Sequence, residues 1–188
     1  MKVNANTMRP GHVMEHNGKL WAVAKIQIVQ PGKGGAFIQI EMRDVRVGTK
    51  TIERFRTQES VERVRLDEHE MQFLFGEGDQ FTFMDNTNFE QMTIPRDVIG
   101  DPAVFLQEGM QVTVQTYEGS PLAVELPQTV TLRIDEADPV VKGQTASSSY
   151  KPAVLENGVR ILVPPHIEAG TRVVVDTAEG TYLERAKD

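Results

Sequence analysis

The chain reads as an all-β protein of three small barrels in tandem, and three observations predict this. Period-2 alternation of apolar and polar residues recurs along its length. Turn signals such as Asn17-Gly18, Glu118-Gly119 and Asn157-Gly158 divide these runs into short strands. A single stretch, 101–107, carries helix-start chemistry. The 188 residues divide naturally into 1–63, 64–126 and 127–188. Units of roughly sixty residues lie near the lower limit for independent folding, so they are expected to lean on one another through fixed interfaces.

In the first unit, Asn17-Gly18 predicts a hairpin joining His12–Glu15 to Lys19–Ala24. Trp21–Val29 then alternates, with Ala22, Ala24, Ile26 and Ile28 on one face and Val23, Lys25 and Gln27 on the other. Ala36–Val45 sets Ile38, Ile40 and Met42 against Gln39, Glu41 and Arg43. Between these strands lies Pro31-Gly32-Lys33-Gly34-Gly35. Proline stiffens the entry, and Gly32, Gly34 and Gly35 permit a tight reversal. Arms of nine or ten residues span roughly 30 Å. Lys33 is therefore expected at the tip of a long hairpin, with no neighbouring side chain competing for its space; the plain alternative is an ordinary exposed hairpin lysine. Val47-Gly48-Thr49-Lys50 reverses the chain again before Thr51–Thr57, completing a small barrel.

In the second unit, Glu68–Phe75 and Gln80–Met84 alternate around Gly76–Asp79. A short helix is expected at Asp101–Gln107, with Asp101 as its cap, Pro102 in the first turn and Gly109 closing it. Met110–Tyr117 and Leu122–Glu125 return to strand across Glu118–Pro121. Strands, one helix and further strands fit a five-stranded OB barrel. The last unit repeats the pattern, with strands at Thr129–Asp135, Ala153–Leu155, Gly158–Val163 and Arg172–Asp176 and a polar, mobile loop at Gly143–Ser149.

The net charge of -7 is unevenly spread. Residues 1–63 hold 11 Lys and Arg against 6 Asp and Glu, residues 64–126 hold 2 against 12, and residues 127–188 hold 7 against 9. A basic first third suggests a polyanionic partner met by one end, with the acidic middle turned away from nucleic acid or toward protein. The absence of cysteine excludes disulfides, thiolate metal sites and cysteine nucleophiles. No apolar run approaches the ~20 residues of a membrane helix, and the first ten residues lack a signal core, so a cytoplasmic protein with no membrane partner is expected.

Enzymatic signals fail on their context. His12-Val13-Met14-Glu15-His16 matches the H-x-x-E-H pattern of inverted zinc peptidases, but that chemistry needs a helix. Pro10-Gly11 and Asn17-Gly18 leave room for a strand alone, on which the two histidines stand about 13 Å apart, so no metal site is expected. Isolated His69 and His166 support no Ser/His/Asp arrangement, and no catalytic residue is assigned. Gly32–Gly35 has the glycine content of a phosphate loop but leads into a strand rather than a helix. Biotinyl and lipoyl carrier domains also present a hairpin lysine, though flanked by Met-Lys-Met or Asp-Lys-Ala types. A generic single-strand RNA binder is a third reading, since OB barrels do that work.

Pro31-Gly32-Lys33-Gly34-Gly35-Ala36-Phe37 resembles the hairpin of the bacterial elongation factor P family. Phe83-Met84-Asp85 with Phe89-Glu90-Gln91, and Glu125-Leu126-Pro127, Lys151-Pro152-Ala153, Gly158, Val163-Pro164 and Gly170, also look like that family, so that the resemblance covers essentially the whole chain. It implies an N-terminal SH3/KOW-like barrel followed by two OB barrels in an L shape. It also implies a monomeric, non-catalytic translation factor that binds the ribosome and ribosomal proteins beside peptidyl-tRNA and relieves stalling at consecutive prolines. Lys33 corresponds to a tip lysine that a modifying enzyme commonly extends, in many members with a β-lysyl group; no other cofactor is implied. A related elongation factor P-like protein has arginine at the tip, and Lys33 favours the factor proper. Arg9, Lys25, Arg43, Arg46 and Arg54 are the RNA-contact candidates of the basic third.

By the same resemblance, Gly143-Gln144-Thr145 matches a Gly-Asp-Thr loop that meets the exit-site codon region. Tyr182 and Arg185 match a Tyr-x-x-Arg at the small-subunit end. Gln144 stands where the family has aspartate, which keeps an acceptor oxygen but changes charge and donor pattern. His166 stands where the family has an apolar or aromatic residue, a packing variation.

Overall fold

A computed structural model describes residues 1–140 and 149–187. The loop 143–149, with Gly143, Gln144 and Thr145, lies outside the described residues except for Ser149.

The first sheet comprises β1 (Lys2–Asn4), β2 (Val13–His16), β3 (Lys19–Val29), β4 (Phe37–Asp44), β5 (Lys50–Arg56) and β6 (Ser60–Val64), in the order β1-β6-β2-β3-β4-β5. Asn17 (φ 52) and Gly18 (φ 73) form the expected two-residue hairpin turn between β2 and β3. β4 alternates as expected, with Ile38, Ile40 and Met42 fully buried. β3 does not. A bulge between Val23 and Lys25 leaves Ala24 unpaired, which flips the phase of the strand. Trp21 and Val23 therefore point into the core before the bulge and Ile26 packs against it afterwards, so Ala22 and Ile26 lie on opposite faces. Met8, Met14, Phe55 and Val61 complete this core.

The second sheet comprises β7 (Asp67–Glu77), β8 (Gln80–Asp85), β9 (Gln91–Pro95), β10 (Gln111–Tyr117) and β11 (Ser120–Glu125), in the order β11-β10-β7-β8-β9. Pro121, which cannot donate to a ladder, sits on the edge strand β11. The expected 101–107 helix is instead a four-residue helix α1 (Arg96–Ile99) followed by a 3₁₀ segment Asp101–Phe105. Its cap position is Gly100 (φ 81), with no side-chain cap, and Asp101 lies within the first turn. The 3₁₀ segment stops before Leu106, so Gly109 belongs to the next turn.

β12 (Thr129–Ala137), β13 (Lys151–Leu155), β14 (Arg160–Val163), β15 (Arg172–Asp176) and β16 (Tyr182–Arg185) form the third sheet, in the order β14-β13-β12-β15-β16. Counting strands within each sheet, the second and third share one topology, 5-4-1-2-3 in either direction. In the third, the two edge strands β14 and β16 approach one another.

Apart from Tyr117–Leu122, the second and third barrels belong to one compact unit, and several side chains link their cores. Phe105, from the second barrel's 3₁₀ segment, is 3 % exposed and packs with Leu132, Ile134, Ile167, Val173 and Val175 of the third. Met110 and Leu126 border both cores. Beside Phe105, the Asn157 amide donates to the Val104 carbonyl at 2.9 Å.

One turn recurs three times. Asp44, Asp85 and Asp176 each accept, through Oδ1, the backbone N–H groups two and three residues ahead. Their carbonyls accept the N–H of Gly48, Phe89 and Gly180, and their own N–H groups donate to the carbonyls of Thr49, Glu90 and Thr181. Asp44 and Asp85 are buried, and these local bonds satisfy groups that burial would otherwise leave unpaired.

Candidate functional site

The last ladder pair between β3 and β4 is Val29 with Phe37, so residues 30–36 project beyond the sheet as a seven-residue loop. Lys33 is exposed there, and among the described residues nothing hydrogen-bonds or ion-pairs with it. A β-carbon added at Gly32, Gly34 or Gly35 would meet no atom within 4 Å. Of these glycines Gly34 alone adopts positive φ, at 114°; Gly32 and Gly35 contribute open space around the lysine rather than a forced reversal.

The arm beneath the loop is three strands wide. β5 pairs with β4 over its whole length, from Arg43 with Lys50 up to Phe37 with Arg56 at the foot of the loop. A two-stranded hairpin is marginal in water, and a third strand stiffens it. The freely projecting part is thus the loop, carried on a braced sheet edge rather than on a thin arm of full length. The Arg54 guanidinium lies over the Phe37 ring, 4.2 Å from its centroid, and Gly35, Ala36, Phe37, Arg56, Thr57 and Gln58 line a concavity beside the loop.

Register then sorts the cations. Residues opposite one another in an antiparallel pair share a face. With Ile38, Ile40 and Met42 inward, the outer face carries Lys25 opposite Glu41, Arg54 opposite Gln39, and Arg43 opposite Lys50, with Arg56 opposite Phe37. All five cations are exposed, and Glu41 is the one carboxylate among them. Sequence reasoning found Lys25, Arg43 and Arg54 but missed Lys50 and Arg56; the parity of β5 against β4 was the signal that could have found them. Arg46 lies elsewhere, in the β4–β5 turn at the far end of the arm from Lys33. Arg9 is engaged locally, its guanidinium donating to the Asn6 and Met8 carbonyls at 2.9 and 2.8 Å.

The H-x-x-E-H run is extended rather than helical, with His12 just before β2 and Val13–His16 on it, so its histidines cannot share one helical face. His12 Nδ1 accepts the Arg9 N–H at 3.0 Å. Burial, then Arg63 and Arg9, lower its pKa from 6.5 and favour the neutral ring this bond requires. His16 meets the Phe55 ring edge-on at 5.4 Å.

The second barrel brings together residues whose spacing gave no hint of contact. His69 Nδ1 lies 3.4 Å from Asp85 Oδ2, and its Nε2 lies 3.2 Å from Thr116 Oγ1. Thr116 is 2 % exposed, which shuts its hydroxyl away from any substrate; the trio ties β7, β8 and β10 together. Asp85 is held below its ordinary pKa of 3.8 by the Thr87 N–H, then by that of Asn88 and by His69, against desolvation.

In the third barrel, Tyr182 meets Tyr150 edge-on at 6.4 Å. Its pKa is raised from 10.0 by burial, then by Tyr150 and Glu184, with Arg185 opposing. Arg185, on β16, lies opposite Val173 of β15 and is exposed. No helix among the described residues is long and apolar enough to cross a membrane.

Three family models match in succession: the Elongation factor P (EF-P) KOW-like domain over residues 4–61, the Elongation factor P (EF-P) OB domain over 66–124, and Elongation factor P, C-terminal, over 130–185. Elongation factor P of Rhodospirillum centenum is 76% identical over 188 residues, covering 100% of both chains. The corresponding protein of Rhodospirillum rubrum is 58% identical over 187 residues, again covering 100% of each. A solved eukaryotic translation initiation factor 5A from Methanococcus jannaschii is similar at 22% identity and a TM-score of 0.49, covering 68% of this chain and 92% of that one. The KOW-like and OB assignments agree with the all-β architecture described above, and the chain belongs to the elongation factor P family of translation elongation factors.

Proposed function

We propose that this translation factor binds the ribosome beside peptidyl-tRNA and promotes peptide bond formation at consecutive prolines, with Lys33 positioning the CCA end. The observation that carries the reading is the placement of Lys33 on a projecting, glycine-flanked loop above a braced three-stranded arm with a basic outer face. Proline reacts poorly because its ring restricts the geometry of amine and nascent chain. Orientation of reacting ends can be worth several kcal/mol without acid, base or metal, and a stiff arm supplies orientation. The open space around Gly32, Gly34 and Gly35 suits close approach to RNA backbone. Lys25, Arg43, Lys50, Arg54 and Arg56 suit its phosphates.

In this reading the KOW-like domain spans 1–63 and the following domains 64–126 and 127–188. A modifying enzyme extends Lys33 with a β-lysyl type group, lengthening the reach of its cation. The protein works as a cytoplasmic monomer, contacts ribosomal proteins, and catalyses no reaction of its own. Gly143, Gln144, Thr145, Tyr182 and Arg185 serve the small-subunit end. The test is co-sedimentation with ribosomes carrying peptidyl-tRNA across a salt series. Binding should require the assembled site and weaken steeply as salt rises; equal affinity for free RNA would favour a generic RNA binder instead.

A further inference from the structure

Asn-Gly occurs twice in the chain, at 17–18 and at 157–158, and both pairs sit in exposed turns. The dipeptide has a reaction of its own. The glycine nitrogen, unshielded by a β-carbon, attacks the asparagine side-chain carbonyl carbon and closes a succinimide ring. Hydrogen bonds to the side-chain amide, its oxygen or the attacking nitrogen oppose this, because each must break before the ring can close.

Hydrogen bonding separates the two pairs. Around Asn157 all three groups are held. Its amide donates to the Val104 carbonyl at 2.9 Å, its Oδ1 accepts the Val159 N–H at 3.2 Å, and the Gly158 N–H donates to the Leu155 carbonyl at 2.8 Å. Around Asn17, neither the side-chain amide nor the Gly18 N–H makes a hydrogen bond among the described residues. Access does not separate them, since a β-carbon added at Gly18 or at Gly158 would meet no atom within 4 Å.

We infer that Asn17 is a site of spontaneous deamidation and that Asn157 is protected from it. The Gly18 nitrogen bonds to Asn17 Cγ, the Cγ–Nδ2 bond breaks, and Nδ2 leaves as ammonia with the proton of the Gly18 amide. Water then opens the ring, at the side-chain carbonyl to give aspartate or at the main-chain carbonyl to give isoaspartate. Nothing is oxidised or reduced. Isoaspartate routes the main chain through Cβ and Cγ, adding one carbon to a two-residue turn whose length sets the pairing of β2 with β3. Met14, Trp21 and Val23 of those strands belong to the first barrel's core, and β3 leads into the Lys33 loop. The product therefore loosens the barrel that carries the loop.

The test incubates the full chain for days in water enriched in oxygen-18, folded and, in parallel, unfolded in urea. Peptide mapping with electron-transfer fragmentation then locates the label and separates isoaspartate from aspartate. In the folded chain Asn17 should convert at least about tenfold faster than Asn157, and in urea the two rates should come within about twofold of one another. Equal rates in the folded chain, no conversion at Asn17, or a gap that persists in urea would overturn the inference. Incubated wild type should melt lower in proportion to its isoaspartate content. Asn17→Asp, which adds the charge without lengthening the chain, should melt as fresh wild type does. An incubated chain that keeps its melting temperature despite isoaspartate at Asn17 would overturn the structural consequence.

Discussion

The Arg54 guanidinium stacks on the Phe37 ring, 4.2 Å from its centroid, at the foot of the loop that carries Lys33. The contact joins β4 to β5 where the ladder ends, so it stiffens the base of the tip. A double-mutant cycle with Phe37→Ala and Arg54→Ala should give a coupling of ~0.5–1 kcal/mol in denaturant unfolding, the size of an exposed cation–π pair. Hydrogen exchange of residues 37 and 56 should quicken in both single variants.

Phe105 should be the most costly apolar truncation outside a barrel's own strands. Phe105→Ala removes a ring buried in the third barrel's core and touching its Gly180 turn, where a glycine β-carbon would lie 3.8 Å from the ring. A loss of about 3–5 kcal/mol is expected. The second and third barrels should then unfold in separate calorimetric transitions instead of one.

Asp85 should impose an acid limit on the second barrel. Its pKa is depressed in the folded state, chiefly by the Thr87 N–H, so the unfolded chain binds the proton more readily. The stabilisation is fully present above the unfolded value near 3.8 and disappears as pH falls through the lower, folded value. Melting temperatures between pH 5 and pH 2 should fall less steeply for Asp85→Asn than for wild type.

Strand parity was readable wherever the ladder is regular, and β4 came out residue by residue. β3 was misread because a bulge adds one residue without altering composition: Ala22, Ala24, Ile26 and Ile28 look like one continuous face until the pairing partners show the slip at Ala24. The Asp101-Pro102 start looked like a capped helix, but Gly100 supplies the bend and the segment tightens to 3₁₀. β1, β6, β9 and β16 were not anticipated, being short and partly polar. At the site, Lys33 and its glycines were legible because a projecting loop is a local feature. Grouping Lys25, Arg43, Lys50, Arg54 and Arg56 needed register, and the His69–Asp85–Thr116 cluster needed tertiary folding, since 47 positions separate the outer two. The link from Phe105 to the third barrel has no local signature either.

The extension of Lys33 should be visible in the mass of the chain purified from its native cell. Intact mass spectrometry is expected to show the sequence mass increased by one lysyl-type group, with tryptic fragments locating it at Lys33. Unextended lysine would remove the lengthened-reach part of the mechanism.

The central claim is that Lys33 acts by position at the ribosomal reaction centre. Translation of a message encoding three successive prolines, with wild type and Lys33→Ala compared at equal ribosome occupancy, tests it most directly. Wild type should relieve the stall and Lys33→Ala should bind without relieving it. Equal relief by Lys33→Ala would contradict the account.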